Sequence, residues 1–173
     1  VSLNLLTGAC GQISLGHGAF LGVGAFTSAW LATKGIPFLP CVLLGGSLAA
    51  IVGMFFGIPS LILKGIYLAI ATLAAQLILE YVFLHWESVT GGFKGMSVPS
   101  ASILGFEFDT DERKFYLTLG FAALVMFMGG NIMRTKSGRA FVSIRDHYLS
   151  AEIVGVNLFW YKLQAFGLSS FLA

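Results

Sequence analysis

The feature that most constrains this chain is a run of nineteen residues, Phe115 to Met133, without a single charged side chain. That length and polarity match the roughly 20 predominantly apolar residues an α-helix needs to cross a bilayer. Further runs are delimited in the same way. Gly18 to Thr33 ends at Lys34, Pro40 to Leu63 ends at Lys64, and Ile66 to Trp86 is interrupted by Gln76 and Glu80. A last apolar segment begins near Leu158. Hydrophobic residues make up 57% of the 173 and charged residues 10%, whereas soluble domains carry roughly 25% charged residues. A transmembrane barrel would show alternating strands of about ten residues instead. The expected fold is an all-α polytopic transmembrane helical bundle with about five spans visible, and residues 1–173 form part of one transmembrane domain. The chain starts at Val1 in mid-run and stops at LSSFLA while an apolar segment is still building. A fragment of a longer chain is therefore expected.

Charge placement orients the spans. Arg134, Lys136, Arg139 and Arg145 put four of the ten basic residues within twelve positions, whereas acids at least match bases between Glu87 and Lys114. By the positive-inside tendency, the 134–157 loop is cytoplasmic and the 87–114 loop is extracellular. Alternation then places Lys64 inside and Lys34 outside. Pro59, near the end of the second run, marks a kink or a boundary. Gly91, Gly92 and Gly95 in TGGFKGMSVP, Thr90 to Pro99, permit tight turns, so this stretch reads as a structured turn, a re-entrant piece or a flexible connector.

Small residues recur at helix-packing spacing. Gly18 with Gly22, and Gly53 with Gly57, form GxxxG pairs. In lipid, close backbone approach through small residues is a main source of helix–helix packing energy. Cys10 and Cys41 have no metal-ligand or disulfide spacing and read as small packing residues.

Catalysis finds no support in the motifs. His17, His85 and His147 lie in three different parts of the chain, with no HExxH and no GxSxG. GACGQISLG lacks the GK[ST] ending of a phosphate-binding loop. Any ATP coupling therefore places the nucleotide on another chain. Glu80 is the sharpest intramembrane charge, and a carboxylate in a span faces a bundle interior, a water-filled cavity or a partner. It also lies close to the end of its run, which favours an interfacial placement over a substrate- or proton-linked role. Gln76, four residues earlier, shares its face.

The stretch GQISLGHGAF, Gly11 to Phe20, sets polar and glycine residues against a span too short to cross alone. It reads as a broken or unwound helix start, tolerated in a membrane only where it is buried in protein or faces a water-filled cavity. Its polar side chains are Gln12, Ser14 and His17, while Gln76 and Glu80, on one face of their run, make a lined polar path credible. In Ser137 to Asn157, apolar Phe141, Ile144, Tyr148, Ala151 and Val154 or Gly155 recur at three- to four-residue steps, while Arg145, Asp146 and Glu152 fall off that face. This is an amphipathic helix. Spacing alone leaves open whether it lies on the membrane surface or in a groove of a partner.

Three stretches carry a family resemblance. SGRAFVSIRDHYLSAEIVGVN followed by a lysine-containing helix start, GQISLGHGAFLGVGAF, and LKGIYLAIATLA with TGGFKGM resemble, in the same order, motifs of the permease subunits of branched-chain amino acid ABC importers, the LivM type in particular. The match falls on Gly138, Arg139, Ala140, Ile144, Arg145, Asp146, Ala151, Glu152, Gly155, Asn157, Lys162, Ala165 and Phe166. Tyr148, Leu149 and Ser150 depart from it, as does Ile66.

The resemblance implies a membrane permease subunit in the bacterial cytoplasmic (inner) membrane, with no catalysis and no directly bound cofactor. Its implied partners are two ABC ATPase subunits that hold ATP and Mg, a second permease subunit and a periplasmic or lipid-anchored substrate-binding protein; nucleic acid is not among them. The amphipathic helix would be the coupling helix, with Gly138, Arg139, Ile144, Arg145, Asp146, Ala151, Glu152 and Gly155 as ATPase-coupling residues, and GQISLGHGAF would lie beside the translocation path, with Gln12, Ser14 and His17 as candidate path-lining residues. A urea or short-chain amide permease of the same superfamily, and an ATP-independent secondary transporter or channel using Gln76 and Glu80, are the alternatives.

Overall fold

The computed structural model describes residues 1–63, 65–98, 102–103, 106–107 and 110–173; Lys64 and Pro99 lie outside the described residues. The chain begins with one helical turn, α1 (Ser2–Asn4), which continues into a π-helix, Leu5–Ala9. After a non-helical stretch come α2 (His17–Thr33) and α3 (Phe38–Gly57). A 3₁₀ turn, Ile58–Leu61, carries Pro59 at its start and leads to α4 (Ile66–His85). Proline cannot donate the backbone bond that would prolong α3, so the helix stops beside it. Then follow α5 (Glu87–Thr90), a 3₁₀ turn at Gly92–Lys94, and a two-residue antiparallel pair, β1 (Ser102–Ile103) with β2 (Phe106–Glu107). The chain closes with α6 (Asp111–Arg134), α7 (Lys136–Ile153) and α8 (Leu158–Phe171).

Among the described residues, three helices are long and apolar enough to cross a membrane: α3, α4 and α6. Helix α2, at 17 residues, is about 26 Å long, just under the hydrocarbon thickness of about 30 Å.

The most extensive helix contacts are α2 with α3 and α3 with α8. Both depend on glycine. A Cβ on Gly45 would stand 2.7 Å from the Gly24 carbonyl oxygen, so these two backbones touch with no side chain between them. On the other side of α3, Gly53 faces Ser170 and Gly57 faces Phe166, again without space for a Cβ. Such proximity multiplies dispersion contacts where hydrophobic driving force is absent. Gly22 abuts the Phe83 ring, but Gly18 has open space beside it, so the first GxxxG pair does not form one continuous contact. Phe20, Phe141 and Phe166, from α2, α7 and α8, are completely buried and fill the centre with Leu6 of the π-helix.

The turns at either end of α4 are built differently. Beyond its C-terminus, α5 packs against α2 and α4. The Thr90 hydroxyl donates to the Trp86 carbonyl at 2.8 Å and accepts from Gly92 N–H, and Gly91, Gly92 and Gly95 all take positive φ. At the beginning of α4, Leu63, Gly65 and Leu68 share a small cavity with Ile144 and Tyr148 of α7. The 87–98 segment and α7 therefore occupy opposite ends of α4. Helix α6 is peripheral, with 6% of its apolar window buried.

These contacts predict unequal responses to enlargement. Gly53→Leu should lower stability in detergent by about 1–3 kcal/mol, the usual range for overpacking. Gly18→Ala should be neutral or slightly stabilising. Thermal aggregation followed by size-exclusion chromatography distinguishes the two.

Candidate functional site

The non-helical stretch between the π-helix and α2 gathers buried polar groups. It begins at Gly11, whose φ of 70° lies in the left-handed region that favours glycine. From there to Gly16 exposure alternates residue by residue: Gln12, Ser14 and Gly16 are buried, while Ile13 and Leu15 are 44% and 58% exposed. An extended segment sends successive side chains to opposite sides. Here the polar side turns inward and the aliphatic side turns outward, the reverse of a strand covering a soluble core.

Three backbone bonds hold the segment. Gln12 N–H donates to the Leu6 carbonyl at 3.1 Å, Leu15 N–H donates to the Thr72 hydroxyl at 3.0 Å, and Ala19 N–H reaches the Gly16 carbonyl. Thr72 is fully buried and donates its own proton to the Ala69 carbonyl at 2.9 Å, which leaves its oxygen free to accept. Gly16 lies directly on the Thr72 backbone, and any side chain there would collide with it.

The side chains are less completely paired. Both amide atoms of Gln12 and the hydroxyls of Ser14 and Ser170 are buried without a protein partner, as is His17 Nδ1. An unsatisfied buried polar group costs about 1–3 kcal/mol. His17 Nε2 lies 3.1 Å from Ser2 Oγ and 3.5 Å from Ser169 Oγ, and Ser169 donates to the Ser2 carbonyl. A cavity of about 170 Å³ adjoins the break, lined by Cys10, Gln12, Leu68, Arg145 and Lys162 among others. Another, of about 230 Å³, reaches Ser170 between α2, α3 and α8.

Gln76 and Glu80 stand apart from this cluster. Thr72, Ala75 and Leu79 form the buried side of α4; Gln76 is half-buried at its edge and Glu80 is exposed. Neither lines the two cavities beside the break. Sequence reasoning missed Thr72, Ser169 and Ser170. Their signal was a hydroxyl within an apolar run.

Helix α7 is set by its ends. Thr135 caps its start by accepting from Gly138 N–H, and Gly138 itself packs so closely on the Ile132 and Met133 backbone that no Cβ fits. At its finish Gly155, φ 91°, donates to the Glu152 carbonyl while Val156 N–H donates to the Ala151 carbonyl, the paired bonds of a Schellman closure. Asn157 then caps α8 through Trp160 N–H at 3.3 Å. Gly155-Val156-Asn157 is thus a stop-and-start signal with a stereochemical reason at each end.

The amphipathic pattern is not continuous. His147, at φ −151° and ψ 90°, breaks the helical backbone and divides α7 in two. Before it, Gly138, Ala140, Phe141 and Ile144 are buried; after it, Ala151 is buried while Tyr148, Leu149, Ile153 and Val154 are exposed. Arg139, Asp146 and Glu152 are exposed as well. Arg145 reaches back from α7 to the π-helix, donating from Nη1 to the Gly8 carbonyl at 2.8 Å.

Membrane-length helices, a buried polar break and a capped helix–turn–helix at one end make this a polytopic membrane-protein architecture. The family described as branched-chain amino acid transport system, permease component, matches residues 1–173, and the chain belongs to that family. The high-affinity branched-chain amino acid transport system permease proteins LivM of Escherichia coli (strain K12) and Salmonella typhimurium (strain LT2) are each 31% identical to it over 198 residues, covering 100% of this chain and 47% of theirs. The chain thus spans about half the length of the curated relatives it matches. No solved structure matches.

Thr72→Val keeps the shape but removes the acceptor for Leu15 N–H, and should destabilise by about 1–3 kcal/mol. Thr72→Ser should retain most of the stability, as read by melting in detergent.

Proposed function

We propose that this chain is part of the permease subunit of an ATP-driven importer of branched-chain or related small hydrophobic amino acids. It works in the bacterial cytoplasmic membrane. The observation that carries this reading is the family match over the whole chain. Both relatives are permease proteins of high-affinity branched-chain amino acid transport.

In this reading the translocation path follows the break from Gly11 to Gly16. Gln12, Ser14 and His17 present donors and acceptors to the ammonium and carboxylate of a zwitterionic substrate, and the surrounding aliphatic residues accept its side chain. Unpartnered amide and hydroxyl groups at that place support the role, because a permeant molecule or water would satisfy them in turn. The basic 134–157 loop faces the cytoplasm and the 87–114 loop faces outward, where a periplasmic or lipid-anchored binding protein delivers substrate. Two ATPase subunits, which hold ATP and Mg, meet α7, and a second permease subunit completes the path.

The outer half of α7 is the surface fitted to an ATPase groove. It presents Leu149, Ile153 and Val154 beside Glu152, a mixed apolar and acidic face of the kind amphipathic helices use in partner grooves.

Three measurements test the reading. Labelled leucine should enter proteoliposomes holding the complete transporter in an ATP-dependent manner; uptake of urea instead would reassign the substrate, and uptake without ATP would overturn the mechanism. Glu152→Lys should leave membrane insertion intact and abolish ATP-driven uptake. Gln12→Ala should reduce uptake at normal abundance, whereas full transport would leave the break as architecture alone.

A further inference from the structure

We propose that Arg145 is a positioning residue that ties α7 to the broken helix, so that a displacement of α7 is delivered directly to Gly11 and Gln12. The inference rests on the permease reading above. It turns Arg145 from an ATPase contact into an internal linkage.

The first argument is a backbone group in need of a donor. Gly8 lies in the last turn of the π-helix, where carbonyls lack intrahelical partners. Arg145 Nη1 supplies the donor across 137 residues of sequence, and its positive charge suits the negative end of a helix. The second argument is orientation. Asp146 Oδ1 binds Arg145 Nε at 2.9 Å, which fixes the guanidinium fork so that Nη1 points to Gly8. Arg145 and Asp146 therefore act as one unit.

A third observation is steric. A Cβ on Gly11 would stand 2.8 Å from Arg145 Cγ and 3.4 Å from Arg145 Cα, so the turn of the break rests on the α7 residue itself. Movement of α7 toward the bundle pushes on Gly11, and movement away pulls on the Gly8 carbonyl. The adjoining cavity of about 170 Å³, lined by Gln12 and Arg145, leaves room for the response. Immediately beyond Asp146, the non-helical His147 separates this inward-turned half of α7 from the exposed outer half. One half can meet a partner while the other holds the break.

The test uses the complete transporter with its ATPases in proteoliposomes. Arg145→Met keeps the length of the side chain and removes the charged donor. It should co-purify with the ATPases as the unaltered chain does, yet give at least about fivefold less leucine taken up per ATP hydrolysed, the low end of allosteric coupling. Arg145→Lys, a single point charge without the fork, should recover part of that ratio. Wild-type coupling in both variants overturns the proposal, and so does loss of ATPase co-purification, which would make Arg145 a docking contact. Should Arg145→Met fail to fold, maleimide labelling of Ile13→Cys in the otherwise unaltered chain still decides: its rate should differ between nucleotide-free and ATP-bound states, and an unchanged rate overturns the linkage. An unaltered chain that recruits no ATPase overturns the permease reading itself, and this proposal with it.

Discussion

In a hydrocarbon surrounding, every backbone N–H and C=O must find a partner inside the protein. A continuous helix meets that demand by itself; the stretch from Gly11 to Gly16 does not. Its neighbours are arranged accordingly. Thr72 of α4 accepts from Leu15, the Leu6 carbonyl accepts from Gln12, and Arg145 of α7 donates to Gly8. Those partners come from three separate elements, so the break is over-determined by its surroundings. The same contacts fix where α4 and α7 sit. A local interruption of helical bonding thus organises much of one end of the bundle.

Around that interruption the fold divides into a tight part and a loose part. Helix α3 packs on α2 backbone to backbone at Gly24 and Gly45, and on α8 by setting Gly53 and Gly57 against the Ser170 and Phe166 side chains. Helix α6 touches the rest at few places, through Phe121 near its middle against Phe38 and through the tight corner where Gly138 meets Ile132 and Met133. Close-packed interfaces transmit displacement as rigid bodies, whereas a peripheral helix with few buried contacts opens at lower free energy. The distribution of glycine, rather than of large apolar residues, decides which helices belong to which part.

The spans were legible because charge and proline punctuate them. Lys34, Pro59 and the uncharged run after Phe115 mark boundaries that the helices follow within a few residues. The break was legible in Gly11 and Gly16, which a helix disfavours. Its partners were not, because Thr72, Ser169 and Ser170 sit in apolar runs where one hydroxyl looks incidental until a backbone amide or a histidine faces it. The kink at His147 carries no proline or glycine to announce it. Periodicity alone therefore drew one continuous amphipathic face where there are two. Gly18 illustrates the limit of the GxxxG pattern: spacing identifies a face of a helix but not whether anything stands opposite. The pair β1–β2 was likewise invisible in a loop read only by its charges.

The turn at Gly155-Val156-Asn157 has a mechanical consequence. Because backbone bonds close α7 and the short Asn157 side chain caps α8 from the next residue but one, the angle between the two helices is set within three residues. The two helices form an elbow. Ser169 lies near the far end of α8, eleven residues and about 17 Å from its start. A tilt of about 5° at the elbow moves it by roughly 1.5 Å, enough to break or make the hydroxyl contacts it shares with Ser2 and His17. An angular change too small to disturb either helix is thereby magnified into a rearrangement of hydrogen bonds half a membrane away.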